Sequence, residues 1–223
     1  MSTSLSKKRR NALTLIEVLI ILAVIGVLAA GFLTWASSAR ARSLRINCVW
    51  ELKSIGLAFK VWADDNNRLF PMSISQTNGG TKEFDTGKNA YRHFQVMSNE
   101  LAVTVILRCP TDIFSGERNT ATNWSYMNNS NVSFFVGLDA AQTNPKTILS
   151  GDRNISTQIP LVDGILNVSA GRGVGWTREM HKSVGNILLA DMTVLTVSAA
   201  DLNRTVANTG LATNRLQMPI LRP

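Results

Sequence analysis

The chain has 223 residues, 45% of them hydrophobic and 17% charged, with a formal net charge of +8 and only two cysteines. That composition supports a globular core, and the length allows one domain beyond a terminal helix, or at most a small pair. Half of the charge lies in one run, Lys7, Lys8, Arg9 and Arg10; discounting it removes most of the case for a nucleic-acid-binding protein.

The four cations stand directly before an apolar stretch, Val18 to Ala36, that carries no charge. As a helix, that stretch can cross the ~30 Å hydrocarbon core of a bilayer. The cations would then hold the N-terminus in the cytoplasm. Glu17 sits at the mouth of the run. A charge at the bilayer centre costs roughly 2.5–3.5 kcal/mol, so an ionisable group retained here needs a partner. A cut between Ala12 and Leu13 would place a new α-amino group on Leu13, about one helical turn from Glu17. That amine is one partner for the carboxylate; the other reading is an interfacial glutamate among lipid headgroups. An ordinary secretory signal peptide ending near Ala39-Arg40-Ala41 fits less well, since its apolar core would be shorter and free of Glu17.

This order of basic residues, a small residue, then Leu13-Thr14-Leu15-Ile16-Glu17 and Val18-Leu19-Ile20-Ile21-Leu22-Ala23-Val24-Ile25-Gly26 resembles the prepilin leader and N-terminal helix of type IV pilins and type II secretion pseudopilins. The resemblance implies a leader of residues 1–12 and cleavage between Ala12 and Leu13 by a membrane-embedded prepilin peptidase. It also implies N-methylation of Leu13, and a role for Glu17 in assembling a helical filament. The family prefers Gly before the cut and Phe after it, where this chain has Ala12 and Leu13. No proline interrupts the apolar run, so the kink of many pilins is not expected.

Beyond Ser37 a second helical pattern follows. Leu44, Cys48, Leu52, Ile55, Phe59 and Trp62 fall three or four apart on one face, with Arg45, Asn47, Lys53, Ser54 and Lys60 on the other. No proline lies between Leu13 and Asn67, so the spacing predicts one helix from about Thr14 to Asp64. Residues 13–36 would be its membrane and filament-core half, and residues 37–66 the half that packs on a head domain of residues 67–223. Asp64-Asp65-Asn66-Asn67 and Pro71 end it. A polar loop follows from Ser73 to Lys88, and 90–101 reads as a short helix with Tyr91, Phe94, Met97 and Leu101 on one face.

Strands are expected at 103–107, 132–136, 147–149, 165–168, 187–189 and 194–197, short runs rich in β-branched or aromatic residues between turn formers. Their spacing favours an antiparallel sheet. The fold class expected is therefore α+β: a long N-terminal helix, transmembrane in its first half, packed on one face of an antiparallel head. Ser198 caps a last helix, 199–208, stopped by Gly210. Several head fragments are similar to pseudopilin-like proteins of the verrucomicrobial and planctomycete kind of bacteria. They include Trp62-Ala63-Asp64-Asp65-Asn66, Arg108-Cys109-Pro110-Thr111-Asp112 and His181 leading to Gly185-Asn186-Ile187-Leu188-Leu189-Ala190-Asp191. That pattern has Asp-Gly at the last hairpin, whereas Asp191 here precedes Met192, which fits primed turns poorly. A longer or differently shaped turn is expected.

Cys48 and Cys109 lie outside the cytoplasm on this reading, where they form either one disulfide or two separate buried thiols. His93 and His181 have no second His or Cys at metal-ligand spacing, so no metal site is expected. Gly171-Arg172-Gly173-Val174-Gly175 lacks the Lys-Ser/Thr of a phosphate loop, and no catalytic constellation suggests an enzyme. Some major pseudopilins bind calcium through a head loop, yet Asp152, Asp163 and Asp191 have no EF-hand spacing to assign it.

The function expected is that of a structural subunit, anchored in a bacterial inner membrane with its head in the periplasm. It would assemble with other copies and pilin-like subunits for type II secretion or a pilus. The alternative is a membrane-anchored binding or competence-type pilin, with Arg204, Arg215 and Arg222 contacting DNA phosphate.

Overall fold

The computed structural model describes residues 14–86, 88–113 and 118–221. It divides between Arg42 and Ser43 into two compact units. One helix, α1 (Leu15–Asp65), contributes to both. In the first unit its apolar side chains are exposed, Leu15, Leu22, Val27 and Phe32 among them. Residues Leu15–Phe32 are long and apolar enough to cross a membrane.

In the second unit α1 buries Cys48, Leu52, Ile55, Phe59 and Trp62 of the expected stripe, with Leu44 half-buried, and buries Ala63 besides. It ends because Asn67 takes a left-handed conformation (φ 55°) and the Arg68 amide reaches back to the Ala63 carbonyl, 2.8 Å away. This is a Schellman-type stop with Asn in place of the usual Gly.

Two one-turn helices follow, α2 (Arg92–Gln95) and α3 (Ser98–Leu101), then α4 (Pro110–Ile113). The single helix expected over 90–101 is interrupted at Met97, whose backbone leaves helical geometry, although Phe94, Met97 and Leu101 are all buried as the spacing requires. The strand expected at 103–107 is a 3₁₀ turn, Thr104–Leu107. Ala102 at φ 59° turns the chain, and Val103 and Val105 stay exposed, paired with no strand among the described residues.

The sheet is built from β1 (Phe134–Gly137), β2 (Ile148–Asp152), β4 (Ile165–Val168), β6 (Gly185–Leu189), β7 (Val194–Val197) and β8 (Asn214–Gln217). The order is β4-β8-β1-β2-β6-β7, antiparallel throughout, and a separate ribbon pairs β3 (Ile155–Ser156) with β5 (Gly175–Trp176). One face carries Phe134, Val136, Leu149 and Leu188 against α1. The other carries Phe135, Ile148, Ile187 and Leu216 against Leu202 and Val206 of α5 (Ala199–Asn208). A sheet covered on both sides was not expected, and it explains why β1, β2 and β6 are buried at every position instead of alternating.

Gly56 of α1 packs closely on the β6–β7 hairpin: a Cβ there would lie 2.9 Å from Leu188 Cδ1 and 3.3 Å from Met192 Sδ. The β6–β7 hairpin is longer than a two-residue turn. The Met192 amide donates to the Leu189 carbonyl and the Leu189 amide to the Thr193 carbonyl, with Met192 left-handed at φ 70°. That is the three-residue loop in which a type I turn precedes a left-handed residue. The Thr193 amide is held by Asp191 Oδ1 at 2.8 Å. Ser198 caps α5 by accepting from the Asp201 amide.

Candidate functional site

At the N-terminal end, Thr14 immediately precedes the first residue of α1. Its amide donates to Glu17 Oε2 at 2.8 Å and its hydroxyl donates to the same oxygen at 2.9 Å. The Glu17 amide in turn donates to Thr14 Oγ1 at 3.4 Å. This reciprocal arrangement is a capping box, in which the third helical residue and the cap satisfy each other's orphan groups. It turns the Glu17 carboxylate back toward the chain preceding the helix, where the positive end of the helix dipole also favours it. The Thr-x-x-Glu spacing was legible in Thr14-Leu15-Ile16-Glu17, and sequence reasoning overlooked it in favour of the amine. Lys7, Lys8, Arg9, Arg10, Ala12 and Leu13 lie outside the described residues.

Residues 7–33 match the family model described as the prokaryotic N-terminal methylation motif. The motif is of the prepilin type. No curated protein and no solved structure matches the chain, so the likeness of the head fragments to verrucomicrobial and planctomycete proteins stays a resemblance. The motif and the apolar helix together support membrane anchoring as a pilin-like precursor.

The head holds a second cluster. Cys48 on α1 and Cys109, just before α4, are joined by a disulfide with Cα atoms 5.2 Å apart. Both are fully buried. His181 Nε2 lies 3.5 Å from Cys109 Sγ and 3.3 Å from Asp152 Oδ2, and its Nδ1 lies 3.5 Å from Thr111 Oγ1. Asp152 Oδ2 accepts from the Asn186 amide and side chain at 2.7 and 2.9 Å, while Oδ1 is buried with no hydrogen-bond partner. Burial pushes Asp152 up to about 7, against the Asn186 donors and with help from the charge of Asp112. Burial, and then the charge of Arg45, lowers His181 to about 4, so its imidazole is neutral at neutral pH. Glu51 is raised to about 8 by burial and by Asp152, with Arg108 opposing. Asp112 is buried and held by Arg153 through two bonds of 2.9 and 2.7 Å.

His93, the other histidine, is a buried structural group bonded to Thr81 Oγ1 at 2.7 Å and Gln217 Oε1 at 2.6 Å. Cys48, Cys109 and His181 are the one group of three metal-ligating side chains among the described residues. Neither spacing nor motif gave this group away, because its members are brought together by α1 packing and by two loops. Of the acids considered for calcium, Asp163 and Asp191 sit in turns outside that group. The C-terminal arginines weighed for DNA are engaged by carboxylates: Arg204 pairs with Asp201 at 3.1 Å, and Arg215 with Asp139 at 2.8 Å and Asp85 at 3.5 Å. Arg222 lies outside the described residues.

Proposed function

We propose that the chain is the precursor of a structural pseudopilin or type IV pilin-like subunit, cut between Ala12 and Leu13 by prepilin peptidase, methylated on Leu13 and assembled into a filament for type II secretion. The observation that carries the reading is the match of residues 7–33 to the prokaryotic N-terminal methylation motif. The geometry of Glu17 supports it. A carboxylate folded back onto the Thr14 amide is one residue from the amine that cleavage would create on Leu13. The cationic amine can replace or join the Thr14 donors, adding attraction between opposite charges to bonds that the carboxylate alone already makes charge-assisted. In the filament the apolar helix exchanges lipid for the helices of other copies, which provides close packing without exposing the span to water. The head then serves as the periplasmic or extracellular part of the subunit, and no enzymatic role is assigned to it.

Intact-mass analysis of the protein purified from membranes tests the processing. The expected product lacks residues 1–12 and carries one extra methyl group. A mature chain that keeps those residues, or that begins beyond the apolar run, overturns the proposal. Glu17→Ala should be cleaved normally but should assemble poorly; filament yield equal to wild type would remove the role given to Glu17.

A further inference from the structure

The disulfide and its histidine neighbour have more chemistry than cross-linking requires. Three potential ligand atoms, Cys48 Sγ, Cys109 Sγ and a ring nitrogen of His181, lie within 4.8 Å of one another, and all three residues are buried. Tetrahedral zinc with bonds of about 2.3 Å to sulfur and about 2.0–2.1 Å to nitrogen or oxygen has edges of about 3.6 Å between S and N ligands and about 3.3 Å between N and O ligands. The measured separations are 3.5 Å from Cys109 Sγ to His181 Nε2 and 3.3 Å from His181 Nε2 to Asp152 Oδ2. Two edges of the polyhedron therefore already stand in the head. Of the remaining edges, the one between the sulfurs requires that they part to about 3.8 Å from cysteines whose Cα atoms are 5.2 Å apart, and Cys48 Sγ lies within 4.8 Å of the His181 ring nitrogen.

We infer that the reduced head binds one zinc ion through Cys48, Cys109 and His181, so that a metal and the disulfide are alternative closures of the same buried site. Asp152 is the carboxylate beside His181, 3.3 Å from Nε2, and its Oδ1 is a buried acceptor with no hydrogen-bond partner in the bridged form. A neutral imidazole is the ligating form of histidine, and in the bridged form His181 Nε2 faces Cys109 Sγ and Asp152 Oδ2 while Thr111 Oγ1 lies at Nδ1.

The exchange balances with a dithiol as reductant. The dithiol gives two electrons and two protons to the Cys48–Cys109 bond and becomes a disulfide itself, leaving two thiols in the head. Zinc then displaces both thiol protons and binds the dithiolate with the imidazole. Reoxidation by a disulfide reverses the order: the bridge re-forms, the oxidant takes up two electrons and two protons, and the metal leaves. Before the bridge forms, the same ion would hold α1 to the segment entering α4.

The test uses the full chain in detergent, reduced with dithiothreitol and desalted without oxygen, with cobalt(II) as the optical probe and zinc as its competitor. One equivalent of cobalt should give a thiolate charge-transfer band and the visible bands of a tetrahedral ion, bleached by one equivalent of zinc. The bridged chain should give neither. His181→Ala should bind cobalt at least tenfold more weakly, since loss even of an outer-shell partner costs 10–100-fold. Circular dichroism of the same samples reports the fold. The inference is overturned by a folded, reduced chain that shows no such bands, or by a His181→Ala affinity equal to wild type. It is also overturned by a reduced chain that unfolds and that zinc does not refold.

Discussion

Removing the disulfide gives the sharpest test of how the head is held. The variant is Cys48→Ala with Cys109→Ala, which leaves neither a thiol nor a buried polar group. The bridge joins residues 61 apart. In the chain-entropy model a closed loop of that size costs the unfolded state about 14 cal/mol/K, or about 4 kcal/mol at 25 °C. The two lost sulfur atoms add a smaller packing penalty, because both cysteines are fully buried in the core on the α1 side of the sheet. With a urea slope of about 2–3 kcal/mol/M, the unfolding midpoint should fall by about 1.5–2 M. Tryptophan fluorescence of the detergent-solubilised chain, which has buried Trp62 and Trp176 in the head, follows the transition. A midpoint within experimental error of wild type would refute the reasoning. It would mean that α1 is fixed to the head by apolar packing alone and that the cross-link constrains nothing the fold does not already constrain.

Other substitutions probe different contacts. Gly56→Leu should destabilise the head by about 1–3 kcal/mol in the same assay, because the new side chain must displace Leu188 and Met192 from α1; a neutral effect would show that the helix can lift off β6 freely. Arg153→Ala should destabilise the head by about 1–3 kcal/mol, because the buried Asp112 carboxylate loses the guanidinium 2.7 Å away and keeps Arg118 at 3.8 Å; no measurable loss would show that Arg118 suffices. Burial lowers the pKa of His93 to about 4 from 6.5, so its stabilisation is complete above pH 6.5 and is lost as pH falls toward 4, about 3 kcal/mol in all. Glu51 and Asp152, raised by burial, change stability in the opposite sense over the same range. The diagnostic is therefore the difference between wild type and His93→Gln, which should shrink steadily between those two pH values; a constant difference would mean that His93 is not held neutral.

The sequence was most legible where one period dominated. The stripe from Cys48 to Trp62, the cap at Ser198 and the strands at 165–168 and 194–197 stand where the pattern put them. Misreadings came from context that local pattern does not carry. The run Val103-Thr104-Val105-Ile106-Leu107 has strand composition but no neighbour to pair with, and β8, Asn214-Arg215-Leu216-Gln217, has almost none of that composition yet lies between β4 and β1. Its polar residues are tolerated inside because each finds a partner: Gln217 bonds His93 and the Phe84 carbonyl, Arg215 bonds Asp139, and Asn214 bonds the Val168 carbonyl. The cluster around His181 was illegible for the same reason. Its members come from positions 48, 109, 152 and 181, and only the packed sheet and helix bring them together.

The capping box changes how the acidic residue of the apolar run should be understood. A bare carboxylate at the edge of a span is costly, but Glu17 is compensated from the start by three bonds shared with Thr14, and loss of a helix cap typically costs about 0.5–2 kcal/mol. The uncut precursor thus has a reason to keep the carboxylate that does not depend on cleavage. Cleavage before Leu13 would add an ammonium one residue before Thr14, whose amide already donates to that carboxylate. Thr14→Val separates the two contributions. It removes the hydroxyl bonds but leaves the Thr14-position amide and the future terminus, so helix entry is weakened while the carboxylate can still meet the new amine. If Glu17 acts chiefly through the terminus, Thr14→Val should assemble far better than Glu17→Ala. If the two variants fail equally, the cap, and not the amine, is what assembly requires.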